Sequence, residues 1–421
     1  MKKTLTGAAV AALAATAAQA GGLDRSGQSV AAIFEEDGTT ALSYGIVVPS
    51  ISGEDIGGTG SYDVGETYTQ PGLSYTNAVG GGFNYALIFD KPYGANVTYD
   101  DDPTTSNLGG TFADLNSQAL TLVGRYKLNQ NLSVFAGLGV QSIDAQVGLN
   151  GRSYAGAIAT SAVASGVPGL DSEVLGRALH GDTAAQTFLD TNFGFAGGYL
   201  GLASAVNTQS TNFLANGGYS FDMEDSKRPT YLVGAAYEIP AIAMRIAGTY
   251  RFETEHTADT SESLFGASVD GEVDYVTPQS FNLEAQTGIA EGTLLTLSWR
   301  WTEFSAVDIV PDALGSDLVN LEDSNRYTLG IGRRFSERLA GSATLSYEPE
   351  NGRDTVSPLG PTDGLIGVSL GARFDEGPMS ISGGVNYSWL GDADAGVADQ
   401  PVAEFKDNHA VGIGVKATFT F

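Results

Sequence analysis

The chain has 421 residues, no cysteine, and 49 acidic against 21 basic side chains, for a net charge of −28. That balance excludes a disulfide scaffold and a thiolate metal site, and it argues against nucleic-acid partners, which need a basic footprint. A mean hydropathy of −0.03 beside 56 Gly, 18 Tyr and 19 Phe is what alternating strands give when averaged, and it does not match a soluble core-and-surface composition.

At the amino terminus Lys2 and Lys3 precede an apolar stretch from Leu5 to Ala17, and Ala18-Gln19-Ala20 follows. This is the pattern of a secretory leader, and residues 1–20 are read as a signal peptide cleaved after Ala20. Residues 21–40 hold Gly21-Gly22, Asp24 and Glu35-Glu36-Asp37-Gly38. Composition leaves two readings for them, a periplasmic leader or a plug folded into a lumen.

Residues 41–421 carry segments with period-two alternation near 41–51, 67–77, 83–99, 114–128, 131–148, 229–239, 241–256, 274–289, 291–308, 325–336, 338–349, 363–375, 378–390 and 408–421. Alternation of this kind marks strands with one greasy and one polar face. Residues 366–374, for example, put Ile366, Val368, Leu370, Ala372 and Phe374 on one side and Gly367, Ser369, Gly371 and Arg373 on the other. In the last segment Val411, Ile413, Val415, Ala417, Phe419 and Phe421 share one face. No later run offers the roughly eighteen uninterrupted apolar residues that a transmembrane helix needs.

The links between segments alternate in length. Those near 78–82, 129–130, 240, 290, 337 and 376–377 are tight, whereas those near 52–66, 100–113, 149–228, 257–273, 309–324, 350–362 and 391–407 are long and acidic. Outer-membrane barrels sort short periplasmic turns and long extracellular loops in this way. The expected fold is therefore all-β, a 14-stranded antiparallel transmembrane β-barrel in the outer membrane of a Gram-negative bacterium. Tyr126, Tyr237, Tyr250, Trp299, Trp301, Tyr347 and Trp389 supply an aromatic girdle, outer-membrane lipid covers the outer face, and Phe421 is the expected handle for the barrel assembly machinery.

The link 149–228 is long enough to fold by itself. Ala155 to Ala164 reads as a helix, Asp171 as the cap of a second, and Ala184 to Leu189 as a third helical turn. Phe188, Phe193, Phe195 and Tyr199 give this extracellular insertion an apolar surface suited to a ligand.

Pro92 interrupts the third segment within Phe89-Asp90-Lys91-Pro92-Tyr93-Gly94. Proline has no N–H for a ladder, so either the strand ends at Asp90 or the wall kinks there and leaves a gap. Arg125, Arg245, Arg251, Arg300, Arg334 and Arg373 fall on inward faces, where they either pair with carboxylates such as Glu238 and Glu303 or receive an anionic group. His180, His256 and His409 lie far apart, and neither a metal motif, a nucleophile elbow nor a phosphate loop is present. Asp100-Asp101-Asp102 reads as a solvated loop tip rather than a cation site. No enzyme activity, cofactor or metal is expected.

Taken with Gly124-Arg125-Tyr126-Lys127-Leu128-Asn129-Gln130-Asn131, Thr277-Pro278-Gln279-Ser280-Phe281 and Leu297-Ser298-Trp299-Arg300-Trp301-Thr302-Glu303-Phe304-Ser305, the Pro92 segment makes residues 41–421 resemble the FadL-type transporters. That family imports long-chain fatty acids and other hydrophobic molecules. The resemblance implies an amino-terminal hatch over residues 21–40, an extracellular groove, and a lateral gate at the kink formed by Asp90, Pro92 and Gly94. It implies passive uptake of a hydrophobic ligand, with a general diffusion porin as the alternative. The chain departs from the pattern in lacking an Asn-Pro-Ala element in residues 21–40, and only Arg152 matches a basic residue that greets a carboxylate. A neutral hydrocarbon or aromatic substrate thus stands beside a fatty acid.

Overall fold

Fourteen antiparallel strands close on themselves in the computed structural model, which describes residues 23–421. The expected signal peptide, with Gly21 and Gly22, lies outside the described residues. The wall strands are β1 (Thr39–Ser50), β2 (Tyr68–Gly80), β3 (Phe83–Asp90, resuming at Gly94–Thr98), β4 (Phe112–Lys127), β5 (Leu132–Leu149) and β6 (Tyr219–Ile239). They continue as β7 (Met244–Arg251, resuming at Thr254–Leu264), β8 (Ala267–Thr277, resuming at Ser280–Ala290), β9 (Thr293–Thr302) and β10 (Ser324–Arg334). The last four are β11 (Leu339–Glu348), β12 (Leu365–Glu376), β13 (Met379–Leu390) and β14 (His409–Thr420). Each pairs with its neighbours in sequence, and β1 closes the ring by pairing with β14 from Thr39↔Thr420 to Ser50↔His409. Closure pairs each strand on both sides over most of its length, which hydrocarbon demands because an unpaired backbone group there costs several kcal/mol.

The alternation sorts as expected within the membrane. Leu42, Tyr44, Ile46 and Val48 of β1, Leu370 of β12 and Ile413 of β14 face outward and are exposed. Tyr231 and Tyr237 bracket the apolar face of β6 as the two aromatic rings require. Above the outer ring the sense inverts. In upper β6, Tyr219, Phe221 and Met223 turn inward and are buried, while Ser220, Asp222 and Glu224 face water.

This inversion corrects two sequence expectations. β6 begins at Tyr219 rather than near 229, and residues 257–273 form no loop but the prolonged β7–β8 hairpin, turned at Phe265-Gly266 with φ of 52° and 77°. The insertion after β5 folds as four helices, α1 (Gly151–Gly166), α2 (Ser172–Leu179), α3 (Thr183–Asn192) and α4 (Gly198–Ala215). The Asp171 side chain caps α2 by accepting from Glu173 N–H. α4 was not anticipated. Beside the helices, residues 52–55, 61–63, 393–397 and 400–405 build a four-stranded extracellular sheet. Its core is the aromatic group of Tyr62, Tyr99 and Phe405.

Replacing outward-facing Leu370 by Arg is expected to cost about 2–4 kcal/mol in reversible urea unfolding in lipid bilayers, with Leu370→Met near wild type. An equal effect of the two substitutions would contradict a lipid-facing position.

Candidate functional site

The long loops above the wall line an open cleft with room for about 140 Å³. Its lining is largely apolar, with Ile51, Val97, Leu115, Val147, Phe221, Ile309, Leu318 and Leu359 among the contributors. Acidic side chains shape the loops by accepting backbone N–H groups. Glu262, fully buried, accepts from Tyr219 Oη at 2.7 Å and Ala313 N at 3.1 Å. Asp317 accepts from Ile309 N at 3.0 Å and Asn320 N at 2.9 Å, and Asp363 accepts from Asn351 N at 2.9 Å. At the mouth Arg353 pairs with Glu322 and donates to Asn320 Oδ1 at 3.1 Å, so its charge is met by protein. A narrow apolar space of about 20 Å³ is lined by Leu23, Tyr93, Leu115, Ile143, Met223 and Phe304.

Residues 23–38 occupy the lumen. Val30 and Ile33 are buried against Ala86, Val123, Phe135, Leu232, Ala236 and Ala247 of the wall. The Phe34 ring lies between two guanidinium groups, with Arg125 Cζ 4.6 Å and Arg245 Cζ 4.3 Å from its centroid. Thr76 Oγ1 donates to Ala32 O at 2.7 Å, and Asn84 Nδ2 donates to Ile33 O at 3.0 Å. Higher up, Arg300 forms an ion pair with Asp24, each side chain 9% exposed, and donates to Asn282 Oδ1 at 2.8 Å and Gln28 Oε1 at 3.1 Å.

β3 breaks at Lys91-Pro92-Tyr93, and the luminal segment is stitched to the break. Arg25 N–H donates to Pro92 O at 2.7 Å, Gly94 N–H donates to Leu23 O at 2.9 Å, and Asp24 faces Tyr93 as an antiparallel bridge. Ser26 Oγ donates to Asp90 Oδ2 at 2.6 Å. On the β4 side, Ser117 Oγ accepts from Tyr93 N at 2.7 Å and donates to Tyr93 O at 2.6 Å. The β2–β3 ladder stops at Leu73↔Phe89, leaving Tyr68–Gly72 without β3 partners, at the level of Tyr44 and Ile46 within the apolar band. An opening of about 210 Å³ lies in this seam, lined by Thr67, Gln70, Lys91 and Asn116. At Pro92 the strand stops at Asp90 and resumes at Gly94, and pairing on the β2 side returns only at the Gly65↔Val97 bridge. Pro71, unnoticed in the sequence, stands on the other side of the gap and also lacks an N–H.

The remaining expected site residues are scattered. Arg125 pairs with Glu238 and donates to Ser133 Oγ at 2.9 Å, and Arg245 donates to Gln286 Oε1 at 3.2 Å. Arg373 pairs with Asp375 at 2.7 Å, and Arg334 is exposed at a tight turn of the wall. Arg152 is exposed at the start of α1, its N–H donating to Ser106 O at 3.0 Å, and it does not line the cleft. Phe193 is buried among the helices, Tyr199 is half-buried beside it, and Phe188 and Phe195 are exposed on the crest of the insertion. None of the four lines the cleft. The loop residues that do, such as Leu318 and Leu359, were legible only as apolar islands in otherwise acidic links. Asp101 and Asp102 cap turns, accepting from Ser61 N and Thr104 N at 2.8 Å each.

His256 lies in upper β7, beyond the last outward apolar residue Phe252. It stacks on Tyr275 with centroids 4.9 Å apart, and its Nδ1 is 3.2 Å from Ser226 Oγ. Burial, reinforced by Arg228, lowers its pKa from 6.5 to about 4. In the extracellular sheet, burial and the Asp55 carboxylate push the Tyr62 hydroxyl well above its ordinary value.

A family model described as "Outer membrane protein transport protein (OMPP1/FadL/TodX)" matches residues 4–421. Among solved structures the fold is similar to a Pseudomonas aeruginosa FadL homologue, with a TM-score of 0.65, 15% identity and 96% of each chain covered. It is also similar to the Pseudomonas putida toluene transporter TodX, with a TM-score of 0.59, 14% identity and 96% of each chain covered. For the Ralstonia pickettii toluene transporter TbuX the TM-score is 0.54 at 12% identity, covering 92% of this chain and 90% of that one. No curated relative matches by sequence.

Two outcomes are expected from this geometry. Arg300→Met strands the buried Asp24 carboxylate, at a cost of about 3–5 kcal/mol. It should appear as fast hydrogen exchange and proteolysis of residues 23–30 with the barrel intact, partly reversed by adding Asp24→Asn. For His256, the unfolded imidazole takes up a proton near pH 6.5 while the folded one resists until about 4. The stability of upper β7 should therefore fall as pH drops through that window, read by hydrogen exchange of residues 254–264, and His256→Phe should flatten the dependence.

Proposed function

The chain belongs to the outer membrane protein transport family (OMPP1/FadL/TodX), and from that premise we propose that it carries neutral hydrophobic small molecules from the cell exterior into the outer membrane. It is a transport protein of the Gram-negative outer membrane and not an enzyme. The observation that carries the substrate reading is the cleft itself, an apolar space whose mouth cation, Arg353, is already neutralised by Glu322. A carboxylate ligand entering there would find the mouth guanidinium already paired, and the other lining arginine, Arg25, has no carboxylate partner but already donates to Gly94 O and Asn96 Oδ1, whereas a hydrocarbon needs no cation. Two structural neighbours, TodX and TbuX, are toluene transporters, which accords with this class.

The route has three stages. Exposed Phe188 and Phe195 on the helical crest gather ligand from water. The ligand then settles in the cleft, where burying about 200 Å² of a single aromatic ring yields roughly 5 kcal/mol before association costs are met. So modest a gain suits a carrier, since tight binding would oppose release. The last stage is passage beside the break at Asp90, Pro92 and Gly94, through the seam between β2 and β3, into the bilayer. Partition into lipid is downhill, and no energy source is required.

Cells producing the protein should take up labelled toluene faster than cells without it, with a smaller gain for labelled oleate. Pro92→Ala, which offers the N–H needed to continue β3, should cut toluene uptake severalfold at equal surface expression. Undiminished uptake by that variant would retire the side exit. A larger gain for oleate than for toluene would overturn the neutral-ligand reading.

A further inference from the structure

The cleft and the side opening are separate spaces that share five lining residues, Arg25, Tyr68, Gly94, Asn96 and Leu115. Four of these belong to the wall, and Arg25 alone comes from the luminal segment. Its side chain spans the seam where the β2–β3 ladder is missing. Nε donates to Gly94 O at 2.8 Å, Nη2 donates to Asn96 Oδ1 at 3.3 Å, and Cζ stands 3.4 Å from the centroid of the Tyr68 ring. Tyr68 is on β2, while Gly94 and Asn96 are on the resumed part of β3, so one guanidinium spans the gap left between the Leu73↔Phe89 pair and the Gly65↔Val97 bridge.

We infer that the Arg25 side chain is the bolt between the cleft and the side opening, and that a ligand passes when this side chain alone swings away while the rest of the luminal segment stays in place. The inference rests on the transport reading above and adds the moving part to it. The contrast with the neighbouring residue carries the argument. Asp24 is held by a buried ion pair with Arg300, which breaks at high cost. Arg25 has only neutral acceptors and a ring face, and no carboxylate lies within ion-pair distance of it among the described residues. Its backbone N–H bond to Pro92 O does not depend on the side-chain rotamer. Rotation therefore opens the partition without undoing the stitching of residues 23–26 to β3.

Three measurements test this. In Arg25→Ala, toluene influx should rise about tenfold, the population shift expected when a contact set of this size is lost, with Arg25→Lys in between. Influx that is unchanged or lower overturns the bolt. Independently of any substrate, Gln70→Cys lines the opening but not the cleft, and the native chain has no cysteine. A small charged methanethiosulfonate added outside should label Gln70→Cys far faster when Arg25→Ala is also present, and equal labelling rates overturn the proposal. Accelerated labelling without toluene import by wild type would uphold the bolt and reject the substrate reading instead. Finally, Ser26→Cys with Asp90→Cys joins the luminal segment to β3 at a contacting side-chain pair and leaves the Asp24–Arg300 ion pair intact. Toluene uptake by this variant should be the same oxidised and reduced, and its loss on oxidation would mean that the whole segment must leave. Unshifted heat-modifiability on gels confirms that each variant is a folded barrel.

Discussion

Hydrocarbon offers a backbone N–H or C=O no partner, and the rest of this structure follows from meeting that demand. Over most of the circumference an unbroken ladder meets it. At the break in β3 the ladder fails within the apolar band, and other groups take its place. Ser117 of β4 serves both the N–H and the C=O of Tyr93, and Leu23 and Arg25 serve Gly94 and Pro92 from inside the lumen. Proline at 71 and 92 removes two donors that would otherwise point at nothing. The luminal segment is thus a structural patch for the wall as well as an obstruction of the lumen, and any motion that opens the seam has to respect both roles.

Charge follows the same logic of local satisfaction. Several acids above the wall serve the structure: Glu262, Asp317 and Asp363 each accept backbone N–H groups and fix the loops that roof the cleft. Most of the inward arginines are similarly engaged. Arg125 meets Glu238, Arg300 meets Asp24, and Arg245 shares the Phe34 ring with Arg125. Such pairing spends the lumen's positive charge on holding residues 23–38, leaving an apolar interior above them.

The sequence displayed the wall well because the bilayer imposes a period of two with the apolar side outward. It failed where that rule reverses. Upper β6, β7 and β8 carry their acids outward, at Asp222, Glu255 and Asp274, and their apolar residues inward, at Phe221, Ala258 and Tyr275. Read by composition, those stretches look like loops. α4 escaped notice for another reason: it starts at Gly197-Gly198 without a side-chain cap and is rich in Ser, Thr and Asn. The break at Pro92 was visible, but its partners were not, since residues 23–26 meet residues 90–94 only in three dimensions.

That last juxtaposition bears on how an acidic barrel can move a greasy solute at all. A channel through the lumen would have to lead ligand past the polar lower half, among Arg125, Glu238 and Arg245, where an apolar molecule gains nothing. A side route avoids this. Cleft and opening meet at the height of Arg25, above the Val30–Ile33 anchor and above the Phe34 clamp, so the lower plug can remain shut to water while the upper partition gives way. The design separates two tasks along one short segment, permanent sealing by residues 30–34 and intermittent yielding by residue 25. Asp24, next to residue 25 in the chain and held by Arg300 of the wall in a buried ion pair, keeps the first task from being disturbed by the second.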